Sequence, residues 1–303
     1  MERTDKSAET EQLAMNSGKN TGKLPTVPFG PHRVTRLIVG GNPFVWNSHF
    51  SEEMNRDMEG YFTAEKIVET LKRCLKAGIN TFQGRGDYHR IFHYLELLRR
   101  QGADIQFIAQ TASEMHDIHH NIRMIAAFGA IGVYFHGTET DKYWREGKID
   151  KVQDYLKTMR DTGLRIGMAA HIPEIFDYVE ARDWDLDFYM TPFYNVARSP
   201  RESAVVTGKF EEEEFHPDDP PRICKFIQST GKQCLAYKIL GSGRKCSSQD
   251  KVRETFKWAF ARIKPTDCVV VGMFPKYVEQ PVLDVQYTVE AIKAAEKERV
   301  SLV

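Results

Sequence analysis

Residues 130–171 decide the fold: AIGVYFHG (130–137), then KIDKVQDYLKTMRDTG (148–163), then RIGMAAH (165–171). The outer pieces are short apolar runs without polar alternation, as expected of strands buried on both faces. Between them, Val152, Leu156 and Met159 recur at gaps of four and three, the spacing of one helix face. Gly163 then stops the helix before the next run. A strand, a helix and a strand in that order form a right-handed parallel unit.

The alternation continues in both directions. RLIVGG (36–41), INTFQ (79–83) and IQFIAQ (105–110) precede it; LDFYMTPF (186–193), QCLAYKIL (233–240) and CVVVGMF (268–274) follow. Helical patterns separate these runs, one of them TAEKIVETLKRCLKAG (63–78), with Thr63 placed to cap it and Gly78 to end it. Eight strand candidates alternating with eight helix candidates read as α/β, a single (β/α)8 TIM barrel; a doubly wound open sheet is the alternative. The expected strands are Leu37–Gly40, Thr81–Gln83, Gln106–Gln110, Gly132–His136, Arg165–Ala169, Phe188–Thr191, Cys234–Lys238 and Val269–Gly272. The last helix is expected from about Tyr277 to Val300.

The length of 303 residues suits one barrel, over 26–303, behind a polar tail over 1–25 that carries no apolar period and reads as disordered. Lys plus Arg equals Asp plus Glu, 42 each, so no nucleic-acid partner and no anionic membrane is expected. No apolar run reaches the ~20 residues of a membrane helix, and the first residues lack the apolar core of a secretory signal. The five cysteines are odd in number and have no C-x-x-C spacing, which reads as buried free thiols in a cytoplasmic protein. Nothing in the sequence sets the oligomeric state.

In a barrel of this type the chemistry sits at the C-terminal strand ends. The residues just after each apolar run are therefore the candidates: Asn42, Gln83, Arg85, Asp87, Tyr88, Gln110, His136, His171, Thr191, Tyr194, Asn195, Lys238 and Gly272. Lys238 could form an imine or hold an anion, but Tyr237 and Lys238 cannot both face the interior of a regular strand. His136 and His171, on neighbouring strands, could share a metal with His116 or Glu114; without H-x-H or H-E-x-x-H spacing, no metal is expected. Arg85 could grip a substrate anion or pair with Asp87 or Asp141. Trp46 lies in an aromatic loop, Pro43 to Phe62, that could stack on a sugar-like face or plug the rim. The stretch from Val196 to Pro220 is long enough for a lid, and its acidic run Glu211–Glu214 reads as solvated surface.

Several of these segments, in this order, resemble the aldo/keto reductase superfamily over roughly residues 30 to 290: VTRLIVGGNPF (34–44), GINTFQGRGDY (78–88), FIAQTAS (107–113), GVYFHG (132–137), FYNVA (193–197), LAYKILGSG (235–243) and VVVGMFPKYVEQ (269–280). The resemblance implies NADP(H) as cofactor, Tyr88 as proton donor and His136 as carbonyl-orienting group. It places Tyr237 against the nicotinamide, and Leu240, Gly241, Gly272, Lys276 and Gln280 around the cofactor. His171, Arg85 and Trp46 are left to the substrate. Gln83 and Gln110 stand where the family has a catalytic aspartate and lysine. The cation that would favour a phenolate at Tyr88 is thereby missing. The expectation is an aldo/keto reductase-like enzyme on a small polar carbonyl or sugar-like substrate. The alternatives are a lyase, aldolase or isomerase using Lys238, His136 and Tyr88 without nicotinamide, and an inactive binding or regulatory barrel.

Overall fold

The computed structural model describes residues 23–200, 202 and 204–301, with the backbone alone at residues 88, 89, 204 and 205. Most of the expected tail lies outside the described residues. Its last part does not: Leu24 is buried and Pro25 O accepts the backbone N–H of Arg36.

A hairpin opens the described chain, β1 (Thr26–Phe29) against β2 (His32–Thr35). Then come β3 (Leu37–Gly40), β4 (Thr81–Arg85), β5 (Gln106–Gln110), β6 (Gly132–Phe135), β7 (Arg165–Ala169), β8 (Phe188–Pro192), β9 (Gln233–Tyr237) and β10 (Cys268–Gly272). These eight strands, all parallel, close into one barrel in the order β10-β3-β4-β5-β6-β7-β8-β9. The fold is a single (β/α)8 TIM barrel with helices around it.

Strand parity divides the core in two. Leu37, Val39, Phe82, Phe107, Val133 and Phe135 pack outward against the helices. Ile38, Ile108, Tyr134, Phe188, Leu235 and Val270 fill the interior together with Val27, Phe29 and Val34 of the hairpin. The hairpin closes the end of the barrel where the strands begin. Phe29 lies 5.1 Å from the Phe188 ring and against Gly132, where a Cβ would come within 2.8 Å of it. The opposite end, where the strands finish, is left for the site.

The expected strands hold to within one or two residues, with three local differences. His136 and Lys238 lie beyond their strands rather than ending them. The segment read as an aromatic loop contains a helix, Glu52–Tyr61, started by Ser51 Oγ accepting from Met54 N at 3.1 Å. The final helix begins at Gln280, with proline in its first turn, rather than near Tyr277.

Candidate active site

The parity that sends Phe82 outward sends Gln83 and Arg85 of β4 inward. The same rule brings in Gln110 of β5, Tyr134 and His136 along β6, Ala169 and His171 along β7, and Tyr237 of β9. All of them line one cavity of about 90 Å³ at the C-terminal mouth of the barrel. Of the expected catalytic residues, Gln83, Gln110, His136 and Lys238 are together here, with Arg85 and His171 from the expected substrate set. The side chain of Tyr88 lies outside the described residues. Tyr134 was not among the candidates, because it sits inside an apolar run.

The two histidines are held in opposite protonation geometries. His136 leaves β6 and caps the helix Gly137–Arg145, its Nδ1 accepting the backbone N–H of Thr138 at 3.2 Å. An accepting Nδ1 puts the ring proton on Nε2, making that nitrogen a donor. His171 has the reverse arrangement. Its Nδ1 lies 2.7 Å from Asp141 Oδ2, and Asp141 Oδ1 accepts the backbone N–H of His171 at 2.8 Å. A carboxylate only accepts, so Nδ1 carries the proton and the lone pair of the neutral ring is on Nε2. Asp141 is buried on the helix that His136 starts, so one helix sets both imidazoles. Asp141 therefore serves His171 and does not pair with Arg85.

At the floor, Gln83 Nε2 donates to Tyr134 Oη at 2.6 Å, which leaves the phenol proton to point elsewhere. Burial pushes the Tyr134 phenol well above the ordinary range, against the opposing pull of Arg85 and Gln83. It is a neutral hydrogen-bond donor at physiological pH, not a base. Arg85 is buried, contacts Glu114 through Nη2 and lies 3.8 Å from Asp87 through Nε. Burial lowers its pKa, with Asp87 pulling the other way. It stands opposite Gln110 in the β4–β5 register, and Gln110 stands opposite Tyr134.

Over the mouth, the segment after β8 contributes Glu211 and Glu213 to the cavity wall. Glu213 is buried and bridges Lys238 Nζ at 3.0 Å and His49 Nδ1 at 2.8 Å. His49 Nε2 in turn lies 3.0 Å from Asn42 Nδ2. The acidic run is thus not uniformly solvated: Glu213 is a structural tie and Glu214 is exposed. Lys238 adopts φ +58, a left-handed backbone that ends β9. That break lets Tyr237 and Lys238 both line the cavity, against the expectation for a continuous strand.

The remaining expected residues divide. Tyr237, Leu240, Gly272 and Gln280 line a second recess of about 460 Å³ that adjoins the cavity. Gly241, expected at the cofactor, lies in the turn Gly241–Gly243 and does not line it. Lys276 does not line it either, since its amine is held by Asp57. Trp46 reaches neither space; its ring lies under Arg90, 4.8 Å from the guanidinium. Among the described residues no group of three His, Cys, Asp or Glu is placed to hold a metal ion, and no helix is long and apolar enough to cross a membrane.

No protein-family model matches the chain, and no curated protein matches it. Solved barrels do. A truncated 3-deoxy-D-arabino-heptulosonate 7-phosphate synthase from Thermotoga maritima is 12% identical, over 92% of this chain and 94% of that one, with a TM-score of 0.51. A dihydropteroate synthase from Xanthomonas albilineans is 12% identical over 93% and 99%, at 0.51. The 7,8-dihydropteroate synthase from Vibrio fischeri is 8% identical over 91% and 98%, at 0.50. At such identities the likeness is one of fold, a fold that carries many chemistries. It does not single out the aldo/keto reductases.

Proposed function

We propose that this barrel is an enzyme moving protons on a small hydroxylated carbonyl compound, of the lyase, aldolase or isomerase kind, rather than a nicotinamide reductase. The observation that carries the reading is the pair of opposed tautomers on neighbouring strand ends. His136 Nε2–H is a donor and His171 Nε2 is an acceptor, and each is fixed by a bond on its other nitrogen. Acid–base catalysis on a carbonyl compound needs that division of labour. His171 takes the proton from the carbon beside the carbonyl, and the C–H electron pair forms the carbon–carbon double bond of the enolate. The proton rides on the imidazolium against Asp141. His136 Nε2–H and the neutral Tyr134 phenol donate to the enolate oxygen. Return of the proton to the former carbonyl carbon, with the neighbouring hydroxyl giving its proton to the enolate oxygen, isomerises the substrate; alternatively the enolate electron pair expels a β-hydroxyl, which takes the imidazolium proton and leaves as water. Gln83, Gln110 and Asn42 offer the amide donors and acceptors that match hydroxyl groups, and the cavity of about 90 Å³ suits a small head.

Lys238 is held by Glu213, so its part is to anchor the covering segment or a substrate oxygen. An amine in an ion pair is a poor imine-forming nucleophile.

The recess beside Tyr237 is the observation favouring hydride transfer, because it begins where the resemblance puts the nicotinamide. Its chemistry does not fit the dinucleotide. Among the described residues lining it, His49 and Lys238 supply the cationic groups, and both are tied to Glu213. Lys276 is tied to Asp57 and Arg73 to Glu279. The first turn of the helix Gln280–Val300 carries no basic residue to meet a phosphate, and Glu279 precedes it.

The test is a panel of small hydroxyaldehydes and hydroxyketones incubated with the protein in D2O and read by proton NMR. The expected result is enzyme-dependent deuterium incorporation beside the carbonyl that His171→Asn abolishes. NADPH oxidation by the same panel without deuterium incorporation would overturn the reading.

A further inference from the structure

The recess of about 460 Å³ lies where β3, β9 and β10 end, under three helices. Met54 and Met58 come from Glu52–Tyr61, Val252 from Gln249–Arg262 and Leu283 from Gln280–Val300, and Ile239 and Val271 complete the apolar wall. It meets the polar cavity along Asn42, His49, Gln83, Tyr237 and Lys238, which line both. The cavity alone is too small for a drug-sized ligand, whereas the groove is within the range of ordinary ligand sites.

Three features bear on the occupant. The cationic groups among the described lining residues sit at the shared rim, where Glu213 holds them. The one carboxylate among those residues is Asp284, whose burial lifts it to about 7 and keeps much of it neutral near physiological pH. Phe50 and Tyr277, two of the few large apolar side chains left exposed among the described residues, stand at the groove. The methionines supply an unbranched, adaptable wall.

We infer that the groove binds the uncharged alkyl or aryl tail of a substrate whose hydroxylated head enters the polar cavity, and that it is not a dinucleotide site. The head's placement rests on the proposed acid–base reading; the tail's placement rests on the groove's own lining. The continuity at Tyr237 lets one molecule fill both spaces. An apolar tail there gains by leaving water, whereas a pyrophosphate would lose its hydration without gaining a counter-charge.

Calorimetric titration of the full chain with 1-O-alkylglycerols from ethyl to octyl, each below its micelle concentration, tests the inference, with NADP⁺ and NADPH run in parallel. The expected result is 1:1 binding that tightens about fourfold per added methylene until the groove is full. A negative heat-capacity change should accompany it, and neither nucleotide should bind at millimolar concentration. Met54→Glu and, independently, Leu240→Glu should flatten the chain-length slope while circular dichroism confirms the fold. Cys246 gives the location: it is an exposed residue lining the groove, its thiol raised to about 11 by burial and therefore read at mildly alkaline pH, whereas Cys74, Cys224, Cys234 and Cys268 are buried. Octylglycerol should slow its alkylation by N-ethylmaleimide at least tenfold. Affinity independent of chain length, or 1:1 binding of NADPH that protects Cys246, would overturn the inference. Chain-length dependence together with full exchange activity in His171→Asn would leave the groove standing and remove the acid–base reading. The reverse pattern would remove the groove alone.

Discussion

The two sides of the barrel mouth are held in different ways. Over β4 to β7 the inward residues are polar, and bonds from neighbouring backbone and side chains aim them: Thr138 N at His136, Asp141 at His171, Gln83 at Tyr134. Over β9, β10 and β3 the surface is mostly apolar, shaped by helices and by Met54, Met58 and Leu240, and its charged side chains gather at the shared rim, where Glu213 ties His49 and Lys238. Reaction chemistry needs groups held to a few tenths of an ångström, and hydrogen bonds on the far side of each ring provide that. Recognition of an apolar tail needs area and adaptability. On the proposed reading, catalysis belongs to one side of the rim and selection to the other.

The strongest way to break this contrast is Asp141→Asn. An amide can present N–H to the imidazole and reverse its tautomer, as in triads that lose their carboxylate. The expected loss in solvent-deuterium exchange is about 10²–10⁴-fold with little change in the affinity of alkylglycerols. A loss below fivefold would mean that His171 is not the base.

On the other side the expected effect is on stability and is smaller. Burial raises Asp284 from 3.8 to about 7. Well below pH 3.8 the group is protonated in folded and unfolded chains alike and nothing is lost. As pH rises toward 7 the unfolded chain releases the proton while the folded one keeps it. Stability falls over that window and stays lower above it. Asp284→Asn should therefore stabilise the protein by about 2–4 kcal/mol at pH 8 and by well under ~1 kcal/mol at pH 4, read by urea unfolding at both. An equal gain at both pH values would show that the carboxylate's ionisation is not the cause.

Much of this contrast was legible in the sequence, unevenly. Strands buried on both faces announce themselves as apolar runs, so β3 to β10 were found nearly to the residue. The hairpin β1–β2 was missed because its strands, TVPF and HRVT, have four residues each and no long apolar run. The polar candidates were found because strand ends in a barrel face the mouth. Tyr134 was not, since inside GVYFHG it looks like core; counting back two from His136 would have placed it on the same inner face. Asp141 and Glu213 were beyond local pattern. Their partners His171 and Lys238 lie 30 and 25 residues away, and an acid on a helix or in an acidic run looks solvated until the fold brings its partner to it. At Lys276 and Trp46, residue type and position suit a cofactor or a substrate, and local pattern does not reveal that the fold sets them against Asp57 and Arg90.

The opposed setting of His136 and His171 can be read by ¹⁵N NMR of protein labelled at histidine nitrogen. Long-range proton–nitrogen correlations collected at alkaline pH, with His136→Gln and His171→Asn used for assignment, report which ring nitrogen carries the proton. The expected result is a proton on Nε2 for His136 and on Nδ1 for His171. The same tautomer at both residues, or a proton on Nε2 of His171, would contradict it.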